Sequence, residues 1–289
     1  MRLCDLQNHW ALVTGASSGI GAEFARQLAA RKINLVLVAR RQERLLPLAG
    51  ILEKSYKIQT LVLPLDLTQE DAPLILKAAL EEQGIKIRAL VNNAAFGKWG
   101  PFEKYDPETY EKMIRLNATL PVILCRIFLD DLLSFPTSVL IHVASAAMYQ
   151  PVPFMGVYAA TKSFIGSLSQ ALFGEFEDRG LLVQTLVPGP TTTEFEQVAE
   201  AYPCNLKAQY HAPQEVVEKS IRGLEKGRAV VVTARGAWIQ RAFGLLAPPA
   251  FAIRKVREMF RPPTNCSKDF DQKENQNKWE TNIHRPIVQ

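Results

Sequence analysis

The most constraining feature of this sequence is an alternation between short apolar runs and longer segments with helical periodicity. Seven apolar runs indicate β-strands, at residues 10–13, 34–39, 61–65, 89–92, 139–144, 182–187 and 229–232. Strands that are apolar along their whole length are typical of a parallel sheet covered by helices on both faces. Since connections between parallel strands are right-handed, we predict a single doubly wound α/β sheet of about seven strands.

Composition and charge argue against several function classes. The 289 residues carry a formal net charge of +5 without a basic stripe interleaved with aromatics, so we expect no nucleic-acid partner. The four cysteines and the four histidines are scattered, which predicts reduced thiols and no metal site. We see no secretory signal and no uncharged run of the ~18 apolar residues that span a bilayer. We therefore expect a cytoplasmic protein, with peripheral membrane contact as an open alternative.

A glycine-rich loop follows the first predicted strand and opens the first predicted helix. It runs Thr14-Gly15-Ala16-Ser17-Ser18-Gly19-Ile20-Gly21. In such loops the first glycine permits a tight turn, the second lets the backbone approach a pyrophosphate, and the third lets the helix pack close to the sheet. The helix N-terminus offers N–H groups and partial positive charge to the phosphates. Its position between strand and helix favours a dinucleotide site over a plain turn, formed by Gly15, Ser17, Ser18, Gly19, Ile20 and Gly21.

The end of the second predicted strand indicates which dinucleotide binds. Sites for NAD usually have a carboxylate there that holds the ribose 2′-hydroxyl, whereas an arginine accommodates the 2′-phosphate of NADP. This chain has Ala39 followed by Arg40 and Arg41. We therefore predict NADP(H) as the cofactor, with Arg40 as the main contact and Arg41 beside it. The alternative is that both arginines only begin a solvated helix.

Three residues form a candidate catalytic group. Tyr158 and Lys162 are four residues apart in a helix predicted over residues 157–177, so they share one face. An ammonium beside a phenol favours the phenolate, which predicts a lowered pKa for Tyr158 and suits it to proton transfer near neutral pH. Ser145 follows a strand at the sheet edge where ligands bind, and its hydroxyl can donate to a carbonyl. A tyrosine–lysine pair alone is more often structural.

Six motifs follow one another along the chain. They are TGxxxGIG at residues 14–21, Asn92-Asn93-Ala94, Asn117, Ser145, the YxxxK pair Tyr158 and Lys162, and Pro188-Gly189. This ordered set resembles that of the short-chain dehydrogenase/reductase family, and the resemblance runs over residues 10–233. It implies a Rossmann-like sheet of seven strands and a catalytic tetrad of Asn117, Ser145, Tyr158 and Lys162.

The resemblance also implies a role for each motif. Tyr158 would be the acid/base, Ser145 would hold the carbonyl, Lys162 would also bind the nicotinamide ribose, and Asn117 would anchor a water in the proton relay. The implied cofactor contacts are Asp66 near the adenine, Asn93 beside the adenosine ribose, and Pro188, Gly189, Thr191 and Thr193 near the nicotinamide amide. The family usually has glycine where this chain has Ala95, and we expect that change to be tolerated because the tetrad is intact.

These motifs predict an NADP(H)-dependent oxidoreductase that interconverts a hydrophobic ketone or aldehyde and its alcohol, preferably as a reductase. The substrate pocket is predicted from mostly apolar side chains at residues 146–154 and 193–211, namely Met148, Tyr149, Pro151, Val152, Pro153, Phe154, Phe195 and Tyr202. A 3-ketoacyl group, a steroid, a retinoid and a xenobiotic ketone all stay open as substrates. A non-catalytic NADP(H)-binding or scaffold protein is the alternative function, which the intact tetrad argues against.

The composition changes toward the C-terminus. We divide the chain into a dinucleotide-binding domain at residues 8–235, an amphipathic extension at 236–263 and a tail at 264–289 that we expect to be disordered. One apolar helical face of the extension is predicted from Trp238, Ala242, Leu245, Ile253, Val256 and Phe260. Residues 237–260 could pack over the substrate pocket, against a second subunit of a homo-oligomer (a dimer or tetramer), or on a membrane surface.

Overall fold

The computed structural model describes residues 3–201, 210–234 and 236–262. Its strands are β1 (Trp10–Thr14), β2 (Asn34–Ala39), β3 (Thr60–Pro64), β4 (Ile87–Asn92), β5 (Ser138–Val143), β6 (Leu181–Val187) and β7 (Val230–Val232). Its α-helices are α1 (Gly19–Ala29), α2 (Gln42–Tyr56), α3 (Ala72–Glu82), α4 (Pro107–Ile114), α5 (Leu120–Leu133), α6 (Gly156–Phe176), α7 (Phe195–Val198), α8 (Pro213–Glu225), α9 (Ala237–Leu246) and α10 (Pro249–Phe260). The tail predicted at 264–289 and the predicted pocket residue Tyr202 lie outside the described residues.

All seven predicted strands are present, and they form one parallel sheet. The strand order is β3-β2-β1-β4-β5-β6-β7, so the direction of winding reverses between β1 and β4. Val13 of β1 lies between Leu37 of β2 and Val91 of β4. Sheets of this kind bind ligands in the crevice beyond the carboxyl ends of the strands at such a reversal. The predicted fold class is confirmed, and the loops after β1 and β4 are where a ligand is expected.

Helices cover both faces of the sheet, which explains why the strands are apolar along their whole length. Ala11 and Val13 of β1 pack in one hydrophobic cluster with residues of α1, α2 and α8, whereas Leu12 packs in the other with residues of α3, α5 and α6. Phe24 of α1 and Phe128 of α5 are fully buried in the two clusters. Because helices cover both faces of the sheet, we expect the polar groups that bind a ligand to lie in the loops at its edge.

The two helices of the extension pack back onto the domain. Val256 of α10 is buried with Val152 and Ala159, and the indole Nε1 of Trp99 donates to the carbonyl of Phe260 at 2.8 Å. Of the residues predicted to form the apolar face of the extension, Val256 and Phe260 contact the domain, whereas Ile253 is 39% exposed. The side chains of Trp238 and Leu245 lie outside the described part of the structure. No helix in the described ranges has the length and apolarity to span a bilayer.

Candidate active site

The glycine-rich loop connects β1 to α1 at the carboxyl edge of the sheet, and its three glycines are required for different reasons. Gly15 and Gly19 adopt left-handed φ angles of +67° and +54°, which strain a residue with a side chain. A β-carbon on Gly21 would lie 2.3 Å from the carbonyl oxygen of Gly15, which no real contact tolerates. Ile20 packs against the hydrophobic core. The loop therefore keeps its backbone open toward the crevice.

Asn93, after β4, fastens this loop to the neighbouring strand. Its Nδ2 donates to the carbonyl of Thr14 at 2.9 Å and, more weakly, to that of Gly15 at 3.4 Å. In return the hydroxyl of Thr14 accepts the N–H groups of Asn93 at 2.9 Å and Ala94 at 3.0 Å, and donates to the carbonyl of Val91 at 3.2 Å. Asn93 thus shapes the crevice through the loop. Its partner is Thr14, which begins the TGxxxGIG motif but was not among the predicted site residues.

Arg41, rather than Arg40, contacts the glycine-rich loop. Its Nη2 donates to the hydroxyl of Ser17 at 3.1 Å and to that of Ser18 at 2.9 Å. Its Nη1 lies 2.7 Å from a carboxylate oxygen of Glu194. Arg40 is exposed and makes no hydrogen bond or ion pair with the part of the chain that the structure describes. The end of β2 therefore presents a cation to the crevice, and it is Arg41 that contacts the glycine-rich loop there.

The remaining predicted cofactor residues lie along the same edge. Asp66 follows β3, and its Oδ1 accepts the N–H and the hydroxyl of Thr68 at 3.0 and 2.9 Å. Pro188 follows β6, and its carbonyl accepts the N–H of Ala146 at 3.0 Å. A β-carbon on Gly189 would meet Ala234 at 2.9 Å, so glycine lets the chain past β7 approach this loop.

The loop after β6 crosses toward the glycine-rich loop. Thr191 forms a parallel bridge with His211, which anchors the loop to the segment before α8. The hydroxyl of Thr193 accepts the N–H of Phe195 at 3.2 Å, and its methyl carbon lies 2.9 Å from where a β-carbon on Gly19 would be. An open cleft of about 410 Å³ separates the two loops. Thr193 and Gly19 therefore approach each other at the mouth of the predicted dinucleotide site.

Tyr158 and Lys162 share one face of α6, as predicted. Nζ of Lys162 donates to the carbonyl of Val143 at 2.8 Å and lies 5.8 Å from the centroid of the Tyr158 ring. Ser145 follows β5 and adopts an extended backbone, with its hydroxyl accepting the N–H of Ala147 at 3.2 Å. The Tyr158 ring is only 8% exposed. The structure thus brings the three predicted residues to one point at the carboxyl edge of β5.

Burial dominates the ionisation of this pair. Desolvation raises the pKa of Tyr158 to about 12, and the Ser145 hydroxyl beside the phenol acts in the opposite direction. Desolvation likewise lowers the pKa of Lys162 to about 8. The expectation that the ammonium lowers the pKa of Tyr158 is contradicted in this arrangement, because burial disfavours the charged form of both groups.

Asn117 lies in a π-helical segment, Arg115–Thr119, that joins α4 to α5. Its side chain donates to the carbonyl of Phe96 at 2.8 Å and to the hydroxyl of Thr161 at 3.2 Å, and it accepts the N–H of Phe96 at 3.1 Å. Asn117 therefore joins the loop after β4 to α6, next to Tyr158. Ala95, in that loop, does not adopt a left-handed φ, so the backbone there does not require the usual glycine.

The predicted substrate pocket is only partly correct. Phe195 does face the catalytic group, since its ring centroid lies 5.1 Å from that of Tyr158. Met148, in a 3-10 turn, packs instead with Ile165 under the turn, and Val152 packs against α10. Residues of the predicted wall therefore support the site from behind, because the turn of residues 146–149 folds back onto α6.

Acidic side chains hold both ends of α7, the helix that begins at Phe195. Before it, Glu194 pairs with Arg41 and with Arg44 of α2. After it, Glu200 pairs with Lys98 and with Lys104, the latter at 2.8 Å. Sequence reasoning missed these pairs. Only Arg44 had a signal, because it lies in the first turn of α2, three residues after Arg41.

Comparison with known proteins agrees with this geometry. A family model described as short chain dehydrogenase matches residues 9–203. The very-long-chain 3-oxoacyl-CoA reductase of Bos taurus is 31% identical over 193 residues, which is 65% of this chain and 61% of that protein. The enzyme of the same name from Anas platyrhynchos is 32% identical over 196 residues, or 66% and 62% of the two chains. This chain thus spans about three fifths of the length of the curated relatives it matches.

Solved structures extend the similarity over nearly the whole chain. A short-chain dehydrogenase from Sphingobium yanoikuyae, in complex with NADPH, is 27% identical with a TM-score of 0.73, covering 97% of this chain and 98% of its own. A bulky-bulky ketone specific alcohol dehydrogenase from Comamonas testosteroni is 26% identical with a TM-score of 0.69, covering 97% of each chain. A 7beta-hydroxysteroid dehydrogenase is 25% identical with a TM-score of 0.77, covering 89% and 99%.

The packing at Gly21 yields a stability prediction. We expect Gly21→Ala to lower the free energy of unfolding by about 1–3 kcal/mol, because the new β-carbon meets backbone that cannot move freely. Gly174→Ala, in α6, is the matched control. No atom lies within 4 Å of its β-carbon position, so we expect a gain of about 0.5–1 kcal/mol from helix propensity. Urea denaturation of the three proteins measures both; equal effects of the two substitutions would contradict the close packing.

Proposed function

This chain belongs to the short-chain dehydrogenase family, and we propose that it is an NADP(H)-dependent oxidoreductase that interconverts a hydrophobic ketone or aldehyde and its alcohol. We base this on one placement: Tyr158 and Lys162 lie beside Ser145, at the sheet edge that also carries the glycine-rich loop. A dinucleotide in the crevice and the phenol of α6 would then reach the same carbonyl group.

The residues of the crevice fit NADP(H). A loop with no room for side chains at Gly15 and Gly21 leaves backbone N–H groups and the N-terminus of α1 for a pyrophosphate. Arg41, which follows β2 and donates hydrogen bonds to that loop, supplies a guanidinium for the 2′-phosphate. The similarity to a structure solved with NADPH supports this assignment. When bound, this cofactor supplies or accepts the hydride.

We propose these roles for the catalytic residues. In the reductive direction Tyr158 donates a proton to the carbonyl oxygen, and the hydroxyl of Ser145 donates a hydrogen bond to the same oxygen. The ammonium of Lys162, four residues along the same helix face, stabilises the phenolate that forms and contacts the cofactor's ribose. Asn117 is a positioning residue, since it joins the loop after β4 to α6.

We propose a lipophilic carbonyl compound as the substrate, and a 3-oxoacyl thioester as the first class to test. The names of the curated relatives support a 3-oxoacyl group, and the names of two structural neighbours support bulky ketones and steroids. The aromatic ring of Phe195 against Tyr158 offers an apolar wall at the reacting group. Val152, packed with Val256, holds α10 over the same side of the domain.

We also propose that the outer face of the extension contacts a membrane surface. Ile239, Leu246, Phe251 and Met259 are 54%, 84%, 49% and 42% exposed, respectively. Such apolar residues beside arginines and lysines suit a helix that lies in the headgroup region. Flotation with anionic liposomes, comparing the full chain with the double variant Leu246→Glu/Phe251→Glu, tests this.

We also propose a homo-oligomer as the other use of this exposed apolar surface. Light scattering, which measures the molar mass in solution, tests it.

The experiment that tests the function is NADPH oxidation against carbonyls of graded apolar size. The panel contains 3-oxoacyl-CoA thioesters of increasing chain length, steroid ketones and short-chain ketones. We expect kcat/KM to rise with chain length, by up to about fourfold for each methylene that becomes buried. NADPH binding without oxidation by any member of the panel would favour the alternative of a non-catalytic NADP(H)-binding protein.

We predict that Tyr158→Phe lowers kcat by about 10²–10⁴-fold while NADPH affinity stays near that of the wild type. The substitution removes only the hydroxyl, so the buried ring and its contact with Phe195 remain. Steady-state kinetics and fluorescence titration of NADPH measure the two quantities. Activity within a few-fold of wild type would show that another group transfers the proton.

We expect the ionisation of Lys162 to determine the pH above which kcat/KM for NADPH falls. Its pKa of about 8 means that the ammonium is present below that pH and is lost above it, whereas Tyr158, with a pKa of about 12, keeps its proton. The kcat/KM for NADPH, which reports ionisations of the free enzyme, should therefore fall as pH rises through about 8. In Lys162→Arg, however slow, this fall should vanish because arginine stays charged. An unchanged profile in that variant would assign the ionisation elsewhere.

Arg41 and Arg40 offer a matched pair for cofactor preference. We expect Arg41→Ala to weaken NADPH binding by about 5- to 30-fold and to leave NADH binding nearly unchanged, because only NADPH carries the 2′-phosphate. Arg40→Ala should have the smaller effect, since that side chain is exposed and does not contact the loop. Calorimetric titration of each variant with NADPH and with NADH measures these affinities. A larger loss of NADPH affinity in Arg40→Ala than in Arg41→Ala would assign the 2′-phosphate contact to Arg40.

A further inference from the structure

Glu194 forms ion pairs with two arginines, Arg41 and Arg44, beside the glycine-rich loop. One carboxylate oxygen lies 2.7 Å from Nη1 of Arg41, and the other pairs with Nη1 of Arg44. Arg41 holds the hydroxyls of Ser17 and Ser18 at the same time. The three charged side chains are 33% to 44% exposed, so an ion from solvent can reach them. Two cations thus converge on one anion at the mouth of the crevice.

The charges make this pairing exchangeable. The two arginines carry +2 and Glu194 carries −1, which leaves net positive charge at the site. The arginines hold the pKa of Glu194 down to about 2, so it is ionised at any ordinary pH. A phosphate monoester carries about −1.5 to −2 and offers three acceptor oxygens, so it can outcompete one carboxylate for two guanidinium groups.

Glu194 is also adjacent in sequence to the residue that packs over the catalytic tyrosine. Glu194 immediately precedes Phe195, whose ring lies 5.1 Å from that of Tyr158. The far end of α7 is fixed separately, by Glu200 with Lys98 and Lys104. Release of Glu194 would therefore loosen the end of α7 that carries Phe195, while the other end stays attached.

We propose that Glu194 is an internal competitor for the 2′-phosphate of the cofactor, which must displace it from Arg41 and Arg44. This inference rests on the proposed use of NADP(H). It makes Glu194 a determinant of cofactor affinity and Arg44 a second residue that reads the 2′-phosphate. It also links recognition of that phosphate to the position of Phe195 over Tyr158.

Binding of two probes that differ only in the 2′-phosphate tests the competition without catalysis. Adenosine 2′,5′-bisphosphate and 5′-AMP are titrated calorimetrically into the full-length wild type, Glu194→Gln and Glu200→Gln. We expect Glu194→Gln to bind the bisphosphate about 3- to 10-fold more tightly than wild type and 5′-AMP unchanged. Glu200→Gln removes the other anchor of α7 without touching the arginines, so it should leave both affinities unchanged.

Each other outcome contradicts the inference in a recognisable way. An unchanged or weaker affinity of Glu194→Gln for the bisphosphate would overturn the competition, while the proposed function would stand if wild type still prefers the bisphosphate. An equal gain for both probes, or the same gain from Glu200→Gln, would mean that α7 restricts access generally. If the wild type binds neither probe, both the proposed cofactor site and this inference are wrong.

Discussion

The contact of Asn93 with the glycine-rich loop is the constraint on which the site depends. The amide of Asn93 fills the space in which a β-carbon on Gly15 or Gly21 would stand, at 2.8 and 2.5 Å, and it bonds to the strand end at Thr14. The loop is therefore pressed against β4 and cannot relax into the crevice. Since α1 starts from this loop, its N-terminus inherits its position from the same contact.

Burial sets the chemistry at the other side of the crevice. The covered faces of the sheet place Tyr158 and Lys162 where solvent is excluded, and desolvation then opposes the charge of each. A proton donor that stays protonated suits reduction, which needs the phenol. In the opposite direction the phenolate would have to be stabilised by the ammonium of Lys162, of whose three hydrogens the carbonyl of Val143 takes one.

The fold was predictable from sequence because the five inner strands are buried on both faces, so their apolar runs carry a signal that needs no tertiary information. The glycine-rich loop and the Tyr158–Lys162 pair were predictable for the same reason, since each is a local pattern with a local geometry. Three features of the site could not be predicted from such local patterns: the turn at Asn117, the arginine that contacts the glycine-rich loop, and the direction of Met148. The π-helical turn at Asn117 is fixed by long-range hydrogen bonds to Phe96 and Thr161.

Which of Arg40 and Arg41 contacts the glycine-rich loop was likewise not predictable locally, because it depends on where α2 begins relative to Ser17 and Ser18. Met148 was placed in the pocket by its apolar character, yet the turn that carries it folds onto α6, where its side chain would collide with any β-carbon on Gly166. Side-chain direction in a loop follows from packing partners far away in sequence. Periodicity therefore predicts the scaffold and not the orientation of the loop residues that surround the site.

The ion pairs at the two ends of α7 connect the two halves of the crevice. Four residues of helix are too short to hold themselves in place, so their position depends on the charges that flank them. Glu194 faces the dinucleotide side and Glu200 faces the loop after β4, and Phe195 stands between them over Tyr158. On our proposal that an anion displaces Glu194 from Arg41, the end of α7 that carries Phe195 loses this anchor, and no change in the sheet is required.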